Sequence, residues 1–161
     1  VADATPISLE DLVEDTDLIG ISTFQLAAER VDEPSEVDDG AELDPTHILH
    51  IDTREDGSGF RVKVETQIEM PIGRIVATVG AAYQLNTLNM SAIDREILMG
   101  FVNNVAVMTL IPYIRQAIGD ITLRVFDSAL LMPMMKRGEL WFDEGPDATA
   151  TDPADSEDVE P

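Results

Sequence analysis

Residues 60–85 read FRVKVETQIEMPIGRIVATVGAAYQL, and this stretch decides the fold. Phe60, Val62, Val64, Thr66, Ile68 and Met70 alternate with Arg61, Lys63, Glu65, Gln67 and Glu69. A period of two with one apolar side is a strand with one buried face and one wet face, as in an antiparallel sheet covered on a single side. Pro71-Ile72-Gly73 is a turn, and Arg74 to Leu85 resumes the pattern with Ile75, Ala77, Val79, Ala81, Tyr83 and Leu85. The other side of this strand is small: Val76, Thr78, Gly80 and Ala82. Small residues permit close approach of a second surface, which makes these four a candidate subunit contact.

Toward the N-terminus, His47 to Arg54 is a further strand, joined through Glu55-Asp56-Gly57-Ser58-Gly59. The glycines supply the positive φ that tight hairpin loops require. Leu18 to Val31 reads as a strand with Leu18, Gly20, Ser22, Phe24, Leu26 and Ala28 on one side. Between these two lies the stretch 32–45, with Pro34, Gly40 and Pro45 among acids, a loop long enough to suggest a role of its own. Residues 1–17 are expected to be a flexible acidic lead-in, with Leu9, Leu12 and Val13 making one short helical turn.

Toward the C-terminus the period changes. Ser91 is placed to cap a helix, followed by Ile93, Ile97, Phe101, Val105 and Met108 at spacings of four and three. Pro112 either kinks one long helix or opens a second at its first position. Tyr113, Ile114, Ala117, Ile118 and Ile121 continue the apolar stripe, and Ser128 to Met135 is expected to be a last helix interrupted near Pro133. The fold class expected is therefore α+β: a four-stranded antiparallel sheet followed by helices packed on one face. One domain spans 18–142, and residues 143–161 are a low-complexity acidic tail expected to be disordered.

The net charge is −22 and the cysteine count is zero. The acidity is concentrated before Asp17, between Asp32 and Asp44, and after Asp143; from Pro45 to Phe142, ten acids face nine bases. Repelling acidic segments stay solvated, which suits solubility, a high-salt host or a basic partner. No basic face exists to neutralise phosphates, so nucleic acid is not an expected partner. Val105 to Ile111, the longest apolar run, is short for a membrane span, and no signal-peptide pattern is seen, so membrane insertion is not expected and the cytoplasm is. His47 and His50, three apart on a strand, point to opposite faces, and a metal site needs convergent ligands. With no Ser-His-Asp set, phosphate-cradling glycine loop or calcium loop either, no metal, cofactor or enzymatic activity is expected.

The chemistry that stands out is apolar. Leu130, Leu131, Met132, Met134 and Met135, then Leu140, Trp141 and Phe142, form a dense methionine-rich patch. Methionine adapts to irregular partners, while the same pattern also suits a core or a subunit contact.

Gly80-Ala81-Ala82-Tyr83-Gln84-Leu85 and, above all, Leu110-Ile111-Pro112-Tyr113-Ile114-Arg115 resemble motifs of the SecB chaperone family. The second matches that family's apolar-Pro-Tyr-x-Arg opening of its main helix. The resemblance implies an ATP-independent holdase, a homotetramer built as a dimer of dimers, with Pro112 and Tyr113 of the main helix between sheets. Its clients would be unfolded or precursor polypeptides, in a groove drawing on Phe24, Leu26, Leu49, Ile51, the 32–45 loop, Leu130, Leu131, Met134 and Met135. Family members working in export dock the SecA motor through acids on the exposed sheet; Glu65 and Glu69 hold those positions, beside Arg61 and Lys63. Others protect the antitoxin of a toxin–antitoxin pair. Arg124-Val125-Phe126-Asp127 is shorter than the family's usual proline-containing spacer. Two other classes compete: a scaffolding homo-oligomer without clients, and a small-ligand-binding domain with an enclosed apolar pocket.

Overall fold

Four antiparallel strands form one sheet in the order β1-β4-β3-β2: β1 (Thr16–Arg30), β2 (Thr46–Thr53), β3 (Gly59–Met70) and β4 (Gly73–Leu85). The computed structural model describes residues 5–34 and 43–143. The acidic loop 35–42 and the acidic tail from 144 onward lie outside the described residues. The sheet meander and the α+β class agree with the sequence reading, and every strand boundary falls within two residues of the expected one.

The alternation in β3 and β4 is realised in full. Phe60, Val62, Val64, Thr66 and Ile68 are buried on one face, paired across to Tyr83, Ala81, Val79, Ala77 and Ile75. Leu49 of β2, opposite Val64, belongs to the same face and is wholly buried. At the β2–β3 hairpin Gly57 takes φ 72°, and a Cβ there would collide with the Asn89 side chain. Asn89 instead donates from Nδ2 to the Asp56 carbonyl at 2.9 Å, and the Met90 N–H donates to the Gly57 carbonyl at 2.9 Å. These bonds pin the start of the helical half to the sheet.

That half is a continuous helical run from Arg95 to Phe126, made of α2 (Arg95–Phe101), a π turn (Val102–Ala106) and α3 (Val107–Phe126). Pro112 lies inside α3, so the single-helix alternative holds. Ser91 does not cap this run: it sits in a 3-10 turn capped by Asn89, and Asp94 occupies the position before Arg95. Of the expected first stripe only Phe101 is buried; Ile93, Ile97, Val105 and Met108 are half-buried. The π turn inserts one residue and so rotates the downstream helix by about 100°. The buried line therefore runs through Phe101, Val102, Ala106, Val107, Leu110, Ile114 and Ile118. Phe101 closes edge-on against Tyr83 and Phe60 at centroid distances of 5.1 and 5.5 Å, an arrangement that aromatic quadrupoles favour. By length and composition the 32-residue run could cross a bilayer, but half of its most apolar window is buried inside the fold.

The helical turn expected around Leu9, Leu12 and Val13 is present as α1 (Leu9–Asp15), opened by a reciprocal capping box between Ser8 and Asp11. Leu12 is wholly buried and Leu9 lies against Gly100 of α2, so apolar burial holds this acidic segment to the fold. The Asp15 carboxylate accepts from the N–H groups of Asn86, Thr87 and Leu88 at 3.2, 2.9 and 2.9 Å. The last helix expected over Ser128 to Met135 is, by contrast, absent among the described residues. Asp127 takes the left-handed conformation at φ 61° and ends α3, and residues 128–140 run on as an irregular strap.

Because Leu12 is sealed in the core while Val13 is 41% exposed, Leu12→Ala is expected to cost about 2–5 kcal/mol in denaturant unfolding. Val13→Ala is expected to stay within about 0.5 kcal/mol of the parent.

Candidate functional site

The strap is held to the helical run by side chains that grip its main chain. The Leu130 N–H donates to Oγ1 of Thr122 at 2.7 Å, and Arg115 donates from Nε to the Met132 carbonyl at 3.1 Å. Asn103 makes two bonds to Phe142: its Oδ1 accepts from the N–H at 2.8 Å and its Nδ2 donates to the carbonyl at 2.9 Å. Asn103 is buried in the π turn, whose extra residue turns this polar side chain inward. Beneath the strap is a narrow apolar crevice bordered by Ile111, Ile114, Met132, Met135, Leu140 and His47.

The inward side chains of the strap, Met132, Leu140 and Phe142, are buried. Over 131–134 the outward side chains are apolar too, Leu131 being 80% and Met134 82% exposed, while Lys136, Arg137 and Glu139 are exposed further on. Leu130 and Met135 are half-buried. Four of the residues expected to form a groove are thus gathered on one segment. The other four are not brought together. Phe24 and Leu26 lie on β1, whereas Leu49 and Ile51 lie on β2 at the opposite edge, across about 14 Å of sheet at the usual strand spacing. Leu49 is core, paired with Val64 on the buried face of the sheet, and Ile51, paired with Val62, is half-buried on the same face.

Phe24 and Leu26 also part company with each other. Register shifts between Leu18 and Gly20 and between Thr23 and Gln25 break the alternation of β1. An added residue in one strand moves the residues after it to the other face. Leu26 pairs with Ala77 on the core side, while Phe24 lies on the outer face against Gly80, with the Arg61 guanidinium 5.0 Å and the Lys63 ammonium 5.3 Å from its ring centroid.

The small face of β4 is consequently occupied at Gly80 by this chain's own Phe24. Thr78 and Gly80 are buried within the protomer, and Val76 and Ala82 are half-buried. Pro112 and Tyr113 are exposed on α3. Glu65 stands 3.8 Å from His50 and Glu69 3.8 Å from Arg74, so both acids have basic neighbours. The sequence reading missed Asn103 and Thr122; the signal available was a polar residue set within an otherwise apolar helical run.

His47 and His50 do face opposite ways. His47 is buried, with Nδ1 2.8 Å from Oγ1 of Thr66, and its Nε2 is buried with no hydrogen-bond partner. Burial lowers its pKa from 6.5 to about 4. Among the described residues no three His, Asp or Glu side chains converge as metal ligands would.

The fold these elements define is that of a SecB-like chaperone. A solved SecB-like chaperone of Mycobacterium tuberculosis, in complex with a ChAD peptide from the HigA1 antitoxin, superposes with a TM-score of 0.65 over 78% of this chain and 94% of that one, at 18% identity. A protein of unknown function from Streptococcus agalactiae superposes with a TM-score of 0.45, at 8% identity, over 74% of this chain and 97% of the other. No protein-family model and no curated protein matches the sequence.

Two outcomes check these placements. The unfolded chain binds the His47 proton more readily than the fold does, so stability is full above pH 6.5 and falls as the pH drops toward 4. The wild type is expected to lose about 2 kcal/mol through this residue between about pH 7 and about pH 5, a loss that His47→Gln removes in denaturant titrations. Leu49→Ala is expected to cost about 2–5 kcal/mol, whereas Met134→Asp leaves the protomer's stability within about 0.5 kcal/mol.

Proposed function

We propose that this chain is an ATP-independent holdase for unfolded polypeptide segments, with an antitoxin as the favoured kind of client. The observation that carries this reading is the fold likeness to a SecB-like chaperone solved with an antitoxin peptide. The exposed Leu131 and Met134 supply adaptable apolar surface on that fold. Export through SecA is less favoured, because Glu65 and Glu69 lie beside His50 and Arg74, and Lys63 is paired with Asp52 at 2.9 Å. The client binds by shape and apolar burial, with no catalysis and no cofactor, in the cytoplasm.

The working form in this reading is a homotetramer, a dimer of dimers. Two features of the described residues support self-association. The outward side of the helical run carries Pro112, Tyr113 and Leu123, the last two 48% and 56% exposed. The edge strand β1 leaves Leu18 and Ile19 48% and 64% exposed, along a backbone edge that no described strand pairs, and a long apolar edge is a template for pairing. Several sites on one assembly add avidity to modest single contacts.

Light scattering of a chemically denatured test protein diluted into buffer tests the activity. Suppression of aggregation at one tetramer per client is expected, and no suppression at any ratio leaves the scaffolding oligomer as the better reading. Leu123→Asp is expected to lower the oligomer's mass in sedimentation while the protomer's stability changes by less than about 0.5 kcal/mol.

A further inference from the structure

We propose that residues 128–142 are the resident occupant of a site for extended polypeptide on the helical run, and that a client binds by displacing them. This rests on the chaperone reading above and inverts the expected role of the methionine-rich stretch: it fills the site and does not wall it.

The bonds that hold the strap to the helical run recognise backbone. Thr122 takes the Leu130 N–H, Arg115 the Met132 carbonyl, and Asn103 both main-chain groups of Phe142. None of these reads a strap side chain, and the contact that does, Arg137 to Oδ1 of Asn104, is exposed. Any extended chain in register therefore satisfies the same backbone-reading groups, as every non-proline residue carries one donor and one acceptor. Thr122 and Asn103 are 1% and 2% exposed. Without the strap Thr122 keeps its bonds to the Ile118 and Gly119 carbonyls, whereas Asn103 loses both bonds to Phe142; a buried polar side chain left without partners is costly, so the site calls for an occupant, either the strap or a replacement.

The strap itself has the marks of an exchangeable ligand. It has no ladder or helix to hold it over 128–135, and Pro133 removes one backbone donor. Apolar side chains point both into and away from the body, with Met132 6% and Met134 82% exposed. An element that only covers a core shows a polar outer side; the strap has one at Lys136, Arg137 and Glu139 but not over 131–134. The strap also leaves a group unmet: Nε2 of His47, which borders the crevice, has no partner. A client offering a hydrogen-bonding group there gains a bond that the strap does not make.

A tethered occupant is an intramolecular competitor, and the apparent dissociation constant for a client rises by the inverse of the fraction of chains with an open strap. The strap thereby covers apolar surface until a client with better complementarity arrives.

The test uses the full chain and a fluorescently labelled, reduced and carboxymethylated lactalbumin, which stays unfolded. Anisotropy measures its binding to the wild type and to two variants with a loosened strap, Met132→Ala and Leu140→Ala, which truncate inward strap side chains and leave Asn103, Arg115 and Thr122 in place, and hydrogen exchange of residues 128–142 is followed in the wild type with and without the probe. Displacement predicts faster strap exchange on saturation and about tenfold tighter binding by the variants, since truncating a buried strap side chain loosens the strap by at least the 1.4 kcal/mol of a tenfold change. Binding with unchanged or slowed strap exchange overturns displacement and leaves the chaperone reading standing. No binding by wild type or variants overturns both. Should neither variant fold, the wild-type exchange experiment decides alone.

Discussion

The structure depends on the burial of one sheet face beneath one helical run. β3 and β4 present Val62, Val64, Ile68, Ile75, Val79 and Ala81, and the run answers with Val107, Leu110, Ile114 and Ile118. Fully burying an aliphatic side chain of this kind contributes about 1.5–3 kcal/mol, so this contact outweighs any single polar bond in the chain. A sheet needs cover on its apolar face, and one helix of 32 residues supplies it in one piece. Everything else attaches to that pair. α1 seals one end through Leu12, the aromatic trio of Phe60, Tyr83 and Phe101 orients the start of the run, and the strap lies along its flank.

One consequence is that the helical run has more apolar surface than one sheet can cover. The π turn makes this plain: by rotating the downstream face it sends Val107 and Leu110 to the sheet and leaves Met108 half-buried. It also brings Asn103 inward, where a single buried side chain satisfies both main-chain groups of Phe142. π turns are uncommon and cluster at functional sites, and here the same local irregularity serves packing and grip together. The outward apolar face and the strap are two answers to one surplus, association with copies and coverage by the chain itself.

The outer face of the sheet obeys a different logic. Its charges are interspersed, with Lys63 against Asp52, Glu69 near Arg74 and Glu65 near His50. Exposed pairs of this kind contribute little to stability, but they leave no uniform acidic field on the described sheet. The net charge of −22 belongs to the two ends of the chain and to the stretch between β1 and β2, not to the sheet. Phe24, lodged over Gly80 between Arg61 and Lys63, fills the only glycine on that side of β4.

Strand positions, the hairpin turns, the α+β class and the long helix were legible in the sequence, because period-two and period-four patterns are local and survive wherever burial is one-sided. The Pro-Tyr motif in the helix pointed to the SecB-like fold that the superposition shows. Three features were decided only in three dimensions. The bulges of β1 parted Phe24 from Leu26, since a bulge is set by pairing with β4 and leaves no mark in hydropathy. The π turn moved the buried stripe, since one extra residue per turn is chosen by packing against the sheet. The methionine-rich stretch became an irregular strap where a helix was expected, because Thr122, Arg115 and Asn103 offer its backbone bonds that compete with those of a helix. Local pattern determines which residues seek burial; which backbone groups are already spoken for is settled by the partners that tertiary structure brings alongside.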